Sequence, residues 1–276
     1  MTKVWLITGS SRGFGRAIAT AALEQGDRVI ATARATQAVD DLVDAHPGRA
    51  IAVSLDVRDE DAAISAVAAG ARAFGRIDVV VNNAGYAEAG SIEDTPSAAF
   101  RAQIETNLFG VVNVSRAAIP LFRAQGHGRF IQFSAVGSRR ATGGGLAAHT
   151  AAKHGVEGFS EVLAAETASF GVKVTLVEPG EFRTDWAGSS MAVHEPTPPY
   201  RPAVGRLLAI LHGGVSPWGD PAKAAQVILR LADMASPPLR LPLGSDAVLT
   251  IRAADEEKLA EIARWERLSV STDAAR

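Results

Sequence analysis

The stretch Thr8-Gly9-Ser10-Ser11-Arg12-Gly13-Phe14-Gly15 decides how the chain is read. Before it, Val4-Trp5-Leu6-Ile7 is short, apolar and strand-like. After it, Arg16 to Glu24 carries a helical pattern that stops at Gly26. Strand, glycine turn and helix in that order make an anion-binding arrangement. Glycines turn tightly and let backbone approach an anion with no Cβ in the way. The helix start adds unpaired N–H groups at the positive end of its dipole. A glycine triplet alone is most often an ordinary turn, and it is the flanking strand and helix that make this one a candidate nucleotide site. Gly9, Ser11, Arg12, Gly13, Phe14 and Gly15 are its candidate diphosphate-binding residues.

Outward from this stretch the pattern alternates. Strands are expected at Arg28–Ala33, Ala50–Leu55, Ile77–Val81, Arg129–Phe133 and Val172–Val177, with a last one at Leu239–Leu243 placed at an edge by Pro242. Helical patterns fall between them, at Asp59–Phe74, Ala98–Arg123 and Thr150–Ser169. Such alternation implies a parallel sheet covered by helices on both faces, with ligands beyond the carboxyl ends of the strands. A single domain over residues 1–276 is expected. Residues 186–222, rich in Pro and Gly, interrupt the rhythm, either as a surface loop with a short helix or as an excursion that covers a substrate. The tail from Asp255 to Arg276 reads as a charged helix with a frayed end.

Composition excludes several classes. The 47% apolar content supports a large core, while a net charge of −2 without a Lys/Arg run gives no reason to expect nucleic acid. With no cysteine, disulfides, thiolate nucleophiles and cysteine metal sites are excluded, and no metal site is expected. No apolar run follows Met1-Thr2-Lys3-Val4, and none reaches about 18 residues, so neither a signal peptide nor a membrane partner is expected. The expected location is the cytoplasm.

Further candidates lie just after the expected strands. Ala33-Arg34 ends the second, where an acidic residue would hold ribose hydroxyls and repel a 2′-phosphate. Arg34 and Arg12 suit bidentate phosphate binding instead, which favours NADP over NAD, unless both simply face solvent. Asp56-Val57 is placed to accept an adenine amino group. Asn83-Ala84-Gly85 allows close backbone approach to a ribose, and Pro179-Gly180 with Thr184 is placed by the carboxamide.

In Thr8-Gly9-x3-Gly13-x-Gly15, Asp56-Val57, Asn82-Asn83-Ala84-Gly85, Asn107, Lys153 and Pro179-Gly180, over roughly residues 3–190, the chain resembles the short-chain dehydrogenases/reductases. The resemblance implies a Rossmann-type, doubly wound α/β fold with a parallel sheet of about seven strands. It also implies a nicotinamide dinucleotide cofactor and a homodimer or homotetramer, with the outer faces of the helices at 98–123 and 150–169 as an interface. A wholly intramolecular core is the alternative for those faces. It further implies an active site of Asn, Ser, Tyr and Lys, in which Asn107 supports a water relay and Lys153 holds the nicotinamide ribose.

The sequence departs from that pattern where the chemistry sits. His149 stands four residues before Lys153, in the place of the family's tyrosine. The usual Ser-Ser pair reads Ser134-Ala135, with Ser138 three residues on, so either hydroxyl is a candidate. His149 and Lys153, at i and i+4, share one helix face. The lysine cation would depress the histidine pKa, and a neutral imidazole can accept an alcohol proton or polarise a carbonyl through its N–H. His154 reads as structural or as part of a helix interface. Three functions stay open: an NAD(P)-dependent oxidoreductase of carbonyls or secondary alcohols, a non-redox isomerase, cyclase or lyase with bound cofactor, and an inactive nucleotide-binding regulator. The substrate is expected to be a small molecule, and Trp186, Met191 and Trp218 suggest an apolar one.

Overall fold

The computed structural model describes residues 2–141, 143–185, 191–213 and 219–274. Its strands are β1 (Val4–Ile7), β2 (Arg28–Ala33), β3 (Ala50–Ser54), β4 (Val79–Asn82), β5 (Glu88–Ala89), β6 (Gly128–Phe133), β7 (Val172–Pro179), β8 (Ala192–Val193) and β9 (Arg240–Leu243). Its helices are α1 (Gly13–Glu24), α2 (Asp40–Ala45), α3 (Glu60–Phe74), α4 (Ser97–Ile104), α5 (Gly110–Gln125), α6 (Ala147–Thr167), α7 (Arg201–Gly213), α8 (Pro221–Asp233) and α9 (Ser245–Ser269). Seven strands pair in parallel in the order β3-β2-β1-β4-β6-β7-β9, and β5 pairs with β8 in a separate ribbon. The order reverses between β1 and β4, the switch point at which the carboxyl edge of a doubly wound sheet opens.

Why these segments form the sheet follows from burial on both faces. Val4-Trp5-Leu6-Ile7 has no polar residue, and alternate side chains go to opposite layers. Trp5 and Ile7 pack with Ile18 and Leu23 of α1 and Ile228 and Leu229 of α8. Val4 and Leu6 pack with Val67 of α3, Phe122 of α5 and Leu163 of α6. Helix ends follow local chemistry. Asp59 Oδ1 accepts from Ala62 N at 3.0 Å to cap α3, which stops at Gly75 in the left-handed region (φ 78°).

Several expected bounds move. The fourth strand begins at Val79, because Asp78 is drawn aside: its carboxylate accepts from Val4 N at 2.8 Å and meets Arg76 and His127. The expected helix over 98–123 is α4 and α5 joined by a π-helical turn at Glu105–Phe109. The terminal helix starts at Ser245, ten residues before the charged run, because Ala247, Ile251 and Ala254 give it a buried face. Pro242 does lie on an edge strand. The described part of 186–222 is largely ordered structure: β8, a short 3₁₀ turn at Pro198–Tyr200, α7 and the start of α8. Trp186 and Trp218 lie outside the described residues.

Candidate functional site

The glycine turn is built for close approach. Gly9 and Gly13 take positive φ, 68° and 57°, a region open to glycine at little cost. A Cβ on Gly15 would lie 2.2 Å from the Gly9 carbonyl oxygen. From β4, Asn83 Nδ2 donates to Thr8 O at 2.8 Å, and Asn83 N and Ala84 N both donate to Thr8 Oγ1 at 2.9 Å. The turn is thus fixed by the next strand's loop. α3 and α8 are capped by Asp59 and Asp220, whereas α1 has no side-chain cap and no acidic residue in its first turn. These features fit a diphosphate. Gly15→Ala is expected to cost about 1–3 kcal/mol of stability, read from urea unfolding, and to weaken nucleotide binding more than tenfold by calorimetry.

Arg12 and Arg34 are exposed at neighbouring strand ends. A third guanidinium, Arg58, escaped the sequence reading. Its Nε lies 3.0 and 3.1 Å from the two oxygens of Asp56. The Arg58 hydrogen bonds, helped by the Arg34 charge and opposed by burial, hold the Asp56 carboxyl below its ordinary range. Asp56 therefore stays ionised and able to accept, but shares its oxygens with Arg58. Val57 is tied down by Asn113, whose Nδ2 donates to its carbonyl at 3.0 Å.

The π-helical turn explains Asn107. An extra residue in a helix re-aims a side chain. Asn107, fully buried, donates to Tyr86 O at 2.8 Å and Gln103 O at 2.9 Å, and its Oδ1 accepts from Tyr86 N at 3.1 Å. A Cβ at Gly85 would lie 2.4 Å from that oxygen, so the glycine of Asn83-Ala84-Gly85 is needed for the asparagine as well as for any ligand. Beyond β7, Gly180 packs on the Asp246 carboxylate, which accepts from Glu181 N at 2.7 Å, and Thr184 lies beside Gly13. Phe182, another residue the sequence reading passed over, meets Phe14 edge to face at 4.9 Å between ring centroids, and Phe14 meets Phe133 at 5.2 Å.

His149 and Lys153 share the buried face of α6. Lys153 Nζ donates to Phe133 O at 2.6 Å, at the end of β6. Burial brings the lysine down to about 8, against the opposing charge of Glu157. Burial and then the Lys153 charge bring His149 down to about 3, so its ring is neutral near pH 7. The two candidate serines are buried and face each other. Ser134 Oγ donates to Ser138 Oγ at 2.9 Å, which lies 2.7 Å from Ala135 O and 3.0 Å from Glu157 Oε1. Both hydroxyl protons are thus committed to the protein. His154 is exposed, with its Nδ1 2.9 Å from Thr150 O.

Next to the start of α6 lies an apolar wall. Gly90 bridges Leu146, and Ala87, Ala89 and Met191 are buried with Leu146, Val193, Leu207, Leu208 and Leu211 around them. Met191, buried in this cluster, is packed against Leu207, Leu208 and Leu211 of α7. Among the described residues no cluster of His, Asp or Glu could hold a metal ion, and no helix is long and apolar enough to cross a membrane.

A doubly wound parallel sheet, a glycine turn at its switch point and a helix carrying a buried lysine together define a dinucleotide-type oxidoreductase scaffold. The family described as short chain dehydrogenase matches residues 3–193, and the chain belongs to it. Oxidoreductase BOA17 of Botryotinia fuckeliana is 47% identical over 274 residues, 99% of this chain and 100% of that protein. A 3-ketodihydrosphingosine reductase of Bacteroides thetaiotaomicron is 32% identical, covering 88% of each chain. The crystal structure of a short-chain dehydrogenase from Streptomyces avermitilis, 44% identical, superposes with a TM-score of 0.91 over 99% of this chain and 100% of that one.

Proposed function

We propose that this protein is an NADP-dependent reductase of apolar ketones or aldehydes, running also as a secondary-alcohol dehydrogenase, with His149 in place of the usual tyrosine. The observation that carries the reading is the buried Lys153 beside His149 on the carboxyl side of the sheet, opposite an uncapped glycine turn. Arg12, Arg34 and Arg58, with no acidic residue after β2, support the 2′-phosphate form of the cofactor. When bound, a nicotinamide dinucleotide supplies or takes up the hydride. The chain's residues hold and orient. Lys153 offers an ammonium to a ribose, Asn107 fixes the Tyr86 backbone and supports a water relay, and neutral His149 polarises the substrate oxygen through its N–H. Asp56, Val57, Asn83, Ala84, Gly85, Pro179, Gly180 and Thr184 line the remaining cofactor path. Leu146, Met191, Val193 and Leu207 form the apolar side of the substrate site.

A second reading has its own support. With both serine protons directed inward and Ala135 where the family carries serine, this reading leaves the acid–base work to His149. That suits acid–base chemistry on a bound cofactor that is not consumed. Exposed Val162 and Phe109, on α6 and the π-helical turn, support a homo-oligomer, and a chain free of cysteine suits the cytoplasm.

The test is spectroscopic. The purified chain should oxidise NADPH with some member of an apolar carbonyl panel, and Arg34→Asp should lower the NADPH-to-NADH preference by at least about tenfold, removing one charge-assisted phosphate contact. Substrate loss at constant NADPH absorbance would move the assignment to the second reading.

A further inference from the structure

The buried face of α6 carries three ionisable side chains at one-turn spacing, His149, Lys153 and Glu157. The site above uses only the first two. Glu157 is 7% exposed, and both of its oxygens are engaged. Oε1 is 3.0 Å from Ser138 Oγ, and Oε2 accepts from Arg240 Nε at 2.9 Å. An isolated carboxylate so deep in the chain would cost several kcal/mol, and Arg240 is what makes its ionised form tenable.

Arg240 comes from the edge strand β9 and is shared. It donates to Glu161 Oε1 at 2.5 Å and lies 3.9 Å from Glu178 Oε1 on β7. Glu178, 1% exposed, is also 3.6 Å from Arg139, which pairs with Asp255 of α9. The charged groups around Glu157 are therefore Lys153 and Glu161 from its own helix, Arg240 from β9, Glu178 from β7 and Arg139 after β6. The first of these matters for chemistry. Residues four apart on a helix are neighbours, and an opposite charge at such range favours the charged form of its partner by 1–3 pKa units in typical buried settings. The carboxylate cannot swing away from Lys153, because Ser138 holds one oxygen and Arg240 the other.

We propose that Glu157 is a positioning residue, anchored by Ser138 and Arg240, that keeps the buried ammonium of Lys153 protonated; the functional meaning rests on the reductase reading above. Without Glu157, the lysine would lose its proton at lower pH and with it the charge that holds a ribose. The direction agrees with the ordering of causes at Lys153, where burial works against the charge and Glu157 for it.

The chain has five lysines, so lysine labelled with ¹³C at Cε gives a spectrum of five signals, and the one lost in Lys153→Met is Lys153. The full chain is titrated without cofactor or substrate, so the result stands or falls apart from any turnover. In Glu157→Gln the Lys153 midpoint is expected to fall by about one pH unit or more, at least tenfold in proton affinity. In Arg240→Gln, which removes the cation that makes the buried carboxylate tenable and frees one of its oxygens, the midpoint is expected to fall as well, by less than in Glu157→Gln. Where NADPH turnover is measured, its alkaline fall should move the same way. A Lys153 midpoint that stays put in whichever of these variants folds overturns the proposal.

Discussion

Replacing Lys153 by Met is expected to lower kcat/KM for NADPH-dependent carbonyl reduction by roughly 10²-fold or more, the order for loss of a group that orients a reactant, without unfolding the chain. The stability half of this expectation separates it from trivial damage. Lys153 loses its proton near 8 in the fold against 10.5 for an ordinary lysine, so its protonated form costs the native state about 3 kcal/mol. A lysine whose native pKa is lowered exerts that cost in full below the native value. The cost fades as pH rises from about 8 to 10.5, where the unfolded chain still binds the proton and the folded chain does not. Met carries no such cost, but it leaves Phe133 O without its 2.6 Å donor, a loss of about 1–3 kcal/mol. The two effects oppose each other and nearly cancel. Urea unfolding at pH 7 should therefore differ by no more than about 1–2 kcal/mol, while turnover collapses. Turnover within tenfold of the parent would remove Lys153 from the reaction.

How much of this was legible in the chain depends on whether a feature is local. Val4-Trp5-Leu6-Ile7 followed by glycines reads as strand and turn because the apolar run and the positive-φ positions lie side by side in sequence. The spacing of His149 and Lys153 likewise shows that they share a helix face. The π-helical turn at Glu105–Phe109 left no trace in periodicity, since Phe100, Ile104 and Leu108 keep a helical rhythm through it; the partner that matters is Tyr86, whose backbone Asn107 holds from across the fold. The same holds for Glu157, which reads as one more polar residue of an amphipathic helix until Arg240 arrives from a strand 83 positions away. Ser134 and Ser138 were visible as candidates, but the direction of their protons is set by Glu157 and Ala135 O, neither of which adjacency reveals. Arg58 was overlooked beside Asp56-Val57 because a charged residue after a strand is usually just solvated. Its hydrogen bonds to Asp56 were the missing signal.

His149→Phe is expected to reduce turnover by roughly 10²-fold or more and, at the same time, to make the fold more resistant to acid. In the native chain the imidazole resists protonation down to about 3, while in the unfolded chain it takes a proton near 6.5. A group whose native pKa is depressed in this way loses stability for the fold as pH falls from about 6.5 toward 3, because only the unfolded state gains the proton. The full difference is about 4–5 kcal/mol, a large share of the 5–15 kcal/mol that holds a typical domain together. The Phe variant lacks this term. Its unfolding free energy, relative to the parent, should improve steadily between pH 6.5 and 4. The pH profile of turnover gives a second check. Neutral across that interval, His149 creates no acidic limb near 6.5, and the only limb expected from the pair is the alkaline one, near 8, where Lys153 discharges. An acidic limb at 6–7 that disappears in His149→Phe would mean that the imidazole is charged in the working state and that solvent reaches it when ligands bind. His149→Tyr separates the two functional readings. If the imidazole polarises the carbonyl, the phenol, longer and in a chain that keeps Ala135 in place of the second serine, should reduce ketones no faster than the parent. A large gain would mark the natural histidine as the signature of chemistry in which the nicotinamide is held but not spent.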